Sequence, residues 1–141
     1  MYKTLLFILL TLSFFNPIYA SDSKFMKEIN SLAQEGYVDA QYNLARIYSN
    51  GESVDQDLEL AAYWFLQAAE QDNRDAQYQL ARMFENGFGV VTDLEEAFRW
   101  YKASSSKGHS GSQYNINLLY EEGLATRKDI SDAIKWYRCG R

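Results

Sequence analysis

The sequence is poor in the residues that carry most protein chemistry, with one cysteine (Cys139) and one histidine (His109) among 141 residues. A single cysteine excludes an internal disulfide, so an exported form of this chain has to be held together by its core. A lone histidine has no second metal ligand and no obvious nucleophile beside it. Redox C-x-x-C, zinc H-E-x-x-H, phosphate-loop and dinucleotide motifs are also missing. We therefore expect no catalytic residue, no metal and no cofactor, and the chain is predicted not to be an enzyme.

Positive charge is scarce as well. The chain has 14 Lys and Arg against 19 Asp and Glu, which gives a formal net charge of −5. An acidic chain is a poor general binder of nucleic acids and of anionic membranes. The expected partner is therefore another protein or a peptide, with no nucleic acid and no stable membrane insertion.

The sequence has no apolar run long enough to span a bilayer comfortably. The longest, Leu5–Phe15, follows Lys3, is broken by Pro17, and leads to the small residue Ala20 before a polar stretch. That layout is typical of a secretory signal peptide cleaved after Ala20, the alternative being an uncleaved anchor. We expect residues 1–20 to be a signal peptide and the protein to be secreted or periplasmic.

The chain does contain three similar copies of one segment, 36 residues apart. They are DAQYNLARIYSNG at 39–51, DAQYQLARMFENG at 75–87 and GSQYNINLLYEEG at 111–123. The same period continues into the second half of each unit, where the matching positions are Asp57, Asp93 and Asp129, then Ala61, Ala97 and Ala133, then Trp64, Trp100 and Trp136. Internal periods of 20–50 residues indicate stacked supersecondary units.

Each unit is predicted to be a pair of helices. Ala40, Leu44 and Tyr48 lie at i, i+4 and i+8, on one face of a first helix. Gly51 follows where a left-handed residue can end that helix, and Asp57 stands where a side chain can cap the start of a second one. The Trp series falls on the apolar stripe of the second helices and is assigned to the core.

Residues 24–36 align with a second helix but carry Glu28 at the Trp position, which suits a terminal helix with a polar outer face. The predicted organisation is an N-terminal capping helix at 21–36 followed by repeats at 37–72, 73–108 and 109–141. The fold class is an all-α solenoid of antiparallel helix pairs with about seven helices.

The pattern resembles the Sel1-like repeat, a relative of the tetratricopeptide repeat. The second repeat matches best, at Ala76, Leu80, Phe84, Gly87, Gly89, Val90, Asp93, Ala97, Trp100 and Tyr101. The resemblance implies an adaptor that gathers protein partners. Some disulfide-linked relatives have been discussed as binders of β-lactams or peptidoglycan fragments, but their paired cysteines are absent here.

By analogy with the tetratricopeptide arrangement, the first helices line a concave groove. The predicted partner-binding residues are Tyr42, Asn43, Arg46, Tyr78, Gln79, Arg82, Tyr114 and Asn115, with Leu118 in place of a third arginine. Tyr and Arg are enriched at binding hot spots, and Asn and Gln amides can pair with the backbone of an extended peptide. The alternative is a scaffold role, in which the tyrosines pack between repeats and each arginine pairs with a nearby carboxylate.

Two other functions stay open. Ser104 and Lys107 match the S-x-x-K motif of penicillin-recognising enzymes, as do Ser21 and Lys24, but S-D-N and K-T-G are missing, so the matches are interpreted as chance. An envelope enzyme or a β-lactam- or peptidoglycan-binding protein is the alternative to an adaptor. Self-association through an uncapped C-terminal end is a further possibility, with Leu119, Ile130 and Ile134 near that end. Cys139 is interpreted as a small core residue or an intermolecular link.

Overall fold

The computed structural model describes residues 17–121, with side chains from residue 23 onward, and this part of the chain contains six helices and no strands. The helices are α1 (Pro17–Gln34), α2 (Val38–Asn50), α3 (Leu58–Glu70), α4 (Arg74–Asn86), α5 (Leu94–Ser106) and α6 (Ser110–Glu121). The predicted all-α class is confirmed. The expected seventh helix, together with Asp129, Trp136 and Cys139, lies outside the described residues.

The helix ends follow the signals in the sequence. The Asp57 carboxylate accepts a hydrogen bond from the Leu60 backbone N–H at 2.9 Å, and Asp93 accepts from the N–H groups of Glu95 and Glu96 at 3.0 Å. These bonds satisfy N–H groups that the first turn of a helix leaves unpaired. Gly51 ends α2 in the left-handed conformation, with φ of 70°. The predicted caps and stops are therefore confirmed where the structure describes them.

Helix α1 starts earlier than the repeat pattern predicts. It begins at Pro17, so the expected cleavage point after Ala20 lies inside its first turn. A proline fits the start of a helix because it has no backbone N–H to leave unpaired there. None of the helices between residues 17 and 121 combines the length and apolar character that a membrane span requires.

One continuous core runs through the stack, because every helix packs against the next one along the chain. Leu44 and Leu80 are its largest fully buried aliphatic side chains, and Tyr101 is fully buried as well. Trp64 and Trp100 are 8% and 9% exposed, which confirms their assignment to the core. The alternation of first and second helices leaves α2, α4 and α6 as equivalent elements of successive units.

Gly89 joins the second repeat to the first. Its φ is 69°, and a Cβ atom at this position would overlap the backbone carbonyl of Leu58, where α3 begins. The loop after α4 therefore lies directly against the start of α3. Only glycine allows both the left-handed backbone and this close approach.

Candidate functional site

The eight predicted partner-binding residues all lie on α2, α4 and α6, and none of them is fully buried. We call the surface that they form the first-helix face. Its exposed members are Asn43, Arg46, Arg82 and Tyr114, and its half-buried members are Tyr42, Tyr78, Gln79 and Asn115. Gly111 of α6 lies against the ring of Tyr78, since a Cβ there would come within 3.3 Å of it. The equivalent helices α4 and α6 therefore approach each other at this point of the face.

The tyrosines of this face are of two kinds. The rings of Tyr42 and Tyr78 pack at a tilt against Phe65 and Tyr101, with centroid distances of 5.8 and 5.9 Å. Tyr114, by contrast, is 64% exposed. Tyr42 and Tyr78 therefore belong partly to the scaffold and partly to the surface, whereas most of the Tyr114 side chain is accessible to a partner.

Asp75 and Arg46 act electrostatically on Tyr42. Burial raises the pKa of the Tyr42 phenol above its ordinary value, and the Asp75 carboxylate raises it further. The Arg46 guanidinium acts in the opposite direction and lowers that pKa. Because Asp75 belongs to the next repeat, the electrostatic environment of this tyrosine includes the start of α4 as well as its own helix.

His109 also contributes to the first-helix face, although its place in a turn gave no reason to expect it there. Its imidazole stacks on Tyr78 with a centroid distance of 4.2 Å and an interplanar angle of 25°. Its Nδ1 accepts a hydrogen bond from the Ser112 backbone N–H at 3.1 Å, which caps α6. The repeat pattern indicated this capping role, because Asn73 stands 36 residues earlier and caps α4 by accepting from the Ala76 N–H at 2.8 Å.

The surroundings of His109 do not form a nucleophilic site. The Ser112 hydroxyl lies 3.2 Å from Nδ1 and Asp75 Oδ1 lies 3.8 Å from Nε2, a combination that has the composition of a catalytic triad. However, Ser112 has no solvent exposure, and the Nδ1 lone pair is already directed at the Ser112 N–H. A triad needs a nucleophile that substrate can reach and a base free to take its proton. We assign these residues to helix capping.

A hydrogen-bonded chain runs beneath the face from α4 to α6. The Tyr101 hydroxyl donates to Glu85 Oε2 at 2.6 Å and accepts from the Asn115 side-chain amide at 2.8 Å. Burial and the Glu85 carboxylate both raise the pKa of Tyr101 above its ordinary value. The Asn115 amide nitrogen is thus already bonded within the protein, which leaves Asn43 and Gln79 as the better placed amides for a bound peptide.

Two buried glutamines within the repeated segment were not singled out from the sequence. Gln41 and Gln77 are 4% and 2% exposed, and each donates from Nε2 to a carbonyl of the preceding second helix, Ala33 at 3.1 Å and Ala69 at 3.0 Å. Both are glutamine at the same position of successive repeats, and this recurrence in the sequence indicated a shared role. They join each repeat to the one before it, because a buried carbonyl at a helix end needs a donor.

The S-x-x-K match has a structural explanation. Ser104 is fully buried and its hydroxyl donates to the Arg74 carbonyl at 2.7 Å. The Lys107 ammonium pairs with Asp72 at 2.9 Å. Both side chains therefore join the turn after α5 to the start of α4. Within the described residues no group of three His, Cys, Asp or Glu side chains is placed to hold a metal ion.

The suggested C-terminal contact surface lies only partly within the described residues. Leu119 is 3% exposed and belongs to the buried core, and the suggested self-association through the C-terminal end stays a prediction. Ile130 and Ile134 lie outside the described residues.

Comparison with known proteins agrees with the repeat architecture. The sequence profile of the family described as Sel1 repeat matches residues 38–73, 74–109 and 110–140. This chain belongs to the Sel1 repeat family. Proteins with Sel1 repeats are generally modules for protein–protein interaction and typically non-enzymatic scaffolds. No functionally curated protein matches the sequence significantly.

Solved structures of Sel1 repeat proteins have the same fold. The Sel1 repeat protein from Oxalobacter formigenes is 37% identical, with a TM-score of 0.66 over 67% of this chain and 27% of that one. The protective antigen c5321 of uropathogenic Escherichia coli is 29% identical, with a TM-score of 0.71 over 78% of this chain and 24% of that one. Helicobacter pylori cysteine rich protein B, at 21% identity and a TM-score of 0.61, shares the fold over 64% of this chain and 68% of its own. The aligned part of this chain covers about a quarter of the first two proteins.

Proposed function

We propose that this chain is an exported, non-enzymatic adaptor that binds an extended peptide or a segment of a partner protein along the first-helix face. The observation that carries the proposal is the composition of that face, where three tyrosines follow one another at the repeat spacing with exposed polar side chains beside them. Stacked helix pairs curve into extended concave surfaces, and by analogy with tetratricopeptide repeats the first helices line the inner side. Aromatic and arginine side chains are the usual anchors of such interfaces.

The rigidity of the face supports this function. Tyr42 and Tyr78 pack against rings of the second helices, and His109 stacks on Tyr78. Side chains that are already ordered lose little conformational entropy when a ligand binds. The entropy cost of ordering therefore offsets less of the contact energy for residues on a preformed scaffold than for residues on a loop.

Site-specific crosslinking tests the assignment of the surface. A photoreactive amino acid replaces Tyr114, which is 64% exposed on α6, or Tyr63, which is 50% exposed on α3 and serves as the matched control. We expect crosslinks to a partner in envelope extracts from position 114 and not from position 63. Equal crosslinking from both positions, or crosslinking from position 63 alone, would contradict the proposal.

Export is part of the same proposal and has its own test. The Lys3, Leu5–Phe15 and Ala20 layout supports cleavage after Ala20. A fusion of the full chain to an enzyme that is active only outside the cytoplasm should report activity, and the released protein should begin at Ser21. Full-length protein that stays in the cytosol would overturn this part of the proposal, and it would leave the binding surface to be judged by the crosslinks.

A further inference from the structure

Arg46 and Arg82 occupy the same position in successive repeats, and both are exposed on the first-helix face. Within residues 17–121, neither one forms a salt bridge. The other two arginines in that range are paired, Arg74 with Asp75 at 3.4 Å and Arg99 with Glu96 at 2.6 Å. The scaffold alternative, in which each arginine of the face pairs with a nearby carboxylate, is therefore not what the structure shows.

Of the four carboxylates closest in sequence to these arginines, three have other partners, and one of the three, Glu52, accepts a hydrogen bond from the Asn50 side-chain amide at 2.8 Å. Asp75 lies 3.4 Å from Arg74 and 3.8 Å from the His109 ring, and Glu85 accepts the Tyr101 hydroxyl at 2.6 Å. Asp39 is in the first turn of α2, where a negative charge is favourable beside the free N–H groups. Among the described residues, the face thus presents two cations that form no salt bridge.

The arginines share a helix face with the tyrosines. Arg82 follows Tyr78 by four residues on α4, and its guanidinium carbon lies 6.0 Å from the centroid of that ring. Arg46 follows Tyr42 at the same spacing on α2, and side chains four residues apart on a helix are neighbours. Each repeat therefore offers an aromatic ring and a planar guanidinium group on one helix face. A guanidinium group binds a carboxylate through two parallel hydrogen bonds, which fixes the orientation of the acid as well as attracting it.

We propose that Arg46 and Arg82 bind two carboxylates of an acidic, extended peptide segment, an inference that rests on the proposed binding function of the first-helix face. Arg46 and Arg82 lie on the equivalent helices α2 and α4 of successive repeats. An extended segment laid across these two helices can present one carboxylate to each arginine. A polyproline II segment returns to the same side every three residues, so the two acidic residues are expected on one side of the segment.

The third repeat limits the acidic part of the ligand. Leu118 takes the place of a third arginine and Gly111 the place of the aspartates, while Tyr114 stays exposed. The part of the segment that reaches α6 is therefore expected to be apolar or aromatic. A protein segment fits this mixture better than a membrane or a nucleic acid, because two cations on a chain with net charge −5 cannot hold a polyanionic surface.

Selection from a displayed library of random linear peptides tests this inference, because the selected sequences report which side chains the face prefers. The bait is the mature chain, and each selected peptide is measured against wild type, the Arg46→Ala/Arg82→Ala double variant and a Lys27→Ala/Arg99→Ala control. The control removes the same charge from exposed positions away from the face. We expect selected peptides to carry paired acidic residues, to bind the first variant roughly tenfold more weakly, and to bind the control like wild type.

The matched chemical control is the same peptide with its Glu residues changed to Gln. This peptide should bind wild type about as weakly as the Glu peptide binds the double variant.

Three outcomes would contradict the inference. Selected peptides without acidic residues that nevertheless lose binding in a Tyr78→Ala or Tyr114→Ala variant would overturn the inference of an acidic ligand and leave the proposed binding surface standing. If no selected peptide depends on any residue of the face, both proposals fail. Anionic phospholipid vesicles that bind wild type but not the arginine variant would identify a membrane instead, and would also overturn the inference.

Discussion

The Glu85 carboxylate accepts the phenolic proton of Tyr101 at 2.6 Å, and this pair lies beneath the surface on which a partner is proposed to bind. Glu85 belongs to a first helix and Tyr101 to the second helix of the same repeat. The Asn115 amide, from the next repeat, completes the arrangement by donating to the same hydroxyl. One phenol therefore ties three helices of two repeats together.

This arrangement predicts a loss of stability in alkaline solution. Because the folded state raises the pKa of Tyr101, its stabilising effect is present in full below the ordinary tyrosine pKa of about 10 and is lost as the pH rises above that value. Urea unfolding at several pH values should show Tyr101→Phe losing less stability above pH 10 than wild type. Tyr63→Phe, at an exposed tyrosine, is the control and should follow wild type. Parallel curves for wild type and Tyr101→Phe would contradict the prediction.

The buried glutamines predict how the repeats are joined. Gln77→Ala removes the donor to the Ala69 carbonyl and leaves a small cavity, so the free energy of unfolding should fall by about 2–3 kcal/mol. Gln67→Ala, at a partly exposed position on α3, should cost well under about 1 kcal/mol. Chemical unfolding of the three proteins measures both values. Similar losses for the two variants would mean that the Gln77 hydrogen bond is unimportant.

Alanine substitutions at Gly89 and Gly36 distinguish the cost of backbone strain from the cost of steric overlap. Both have positive φ, 69° and 94°, but a Cβ at Gly89 meets the Leu58 backbone whereas a Cβ at Gly36 meets nothing within 4 Å. Gly36→Ala should therefore cost only the left-handed strain, about 1 kcal/mol. Gly89→Ala should cost at least about 2 kcal/mol more, because the loop must move off α3. Thermal unfolding of the two variants checks the order, and equal melting temperatures would contradict it.

Ser104 decides between the adaptor and a penicillin-recognising protein. Because its buried hydroxyl bonds to the Arg74 carbonyl, a fluorescent penicillin should not label the protein covalently. Ser104→Ala should instead lower the free energy of unfolding by about 1–2 kcal/mol, the cost of leaving that carbonyl without its donor. A labelled band on a denaturing gel that disappears in Ser104→Ala would reverse this conclusion.

Several features of the site could be read from the sequence because they repeat. Local geometry and periodic burial determine three of these features, and a 36-residue pattern encodes both. The three features are the helix caps at Asp57 and Asp93, the helix stops at Gly51 and Gly87, and the buried tryptophans. The positions of Tyr42, Asn43 and Arg46 on the outer side of a first helix follow from the same pattern. The sequence pattern also held the signals for Gln41 and His109, which the same alignment of repeats would have disclosed.

Other features depended on contacts between residues far apart in the chain. The bond from Tyr101 to Glu85, the stacking of His109 on Tyr78 and the burial of Ser104 each need two helices to be packed at a particular distance and rotation. Spacing along the chain does not specify those distances, since a one-residue difference in helix rotation turns a side chain away from its partner.

The sequence by itself determined the all-α repeat, the family and the side chains that point outward, because each of these depends on local periodicity and on which residues avoid water. Only the tertiary structure decided which outward side chains are already engaged. Within residues 17–121 it committed Asn115, Asp75 and Glu85 to partners inside the protein and left Arg46 and Arg82 exposed and without a salt bridge. That distinction rests on ångström-scale distances between helices, and such distances are set by the packing of the core.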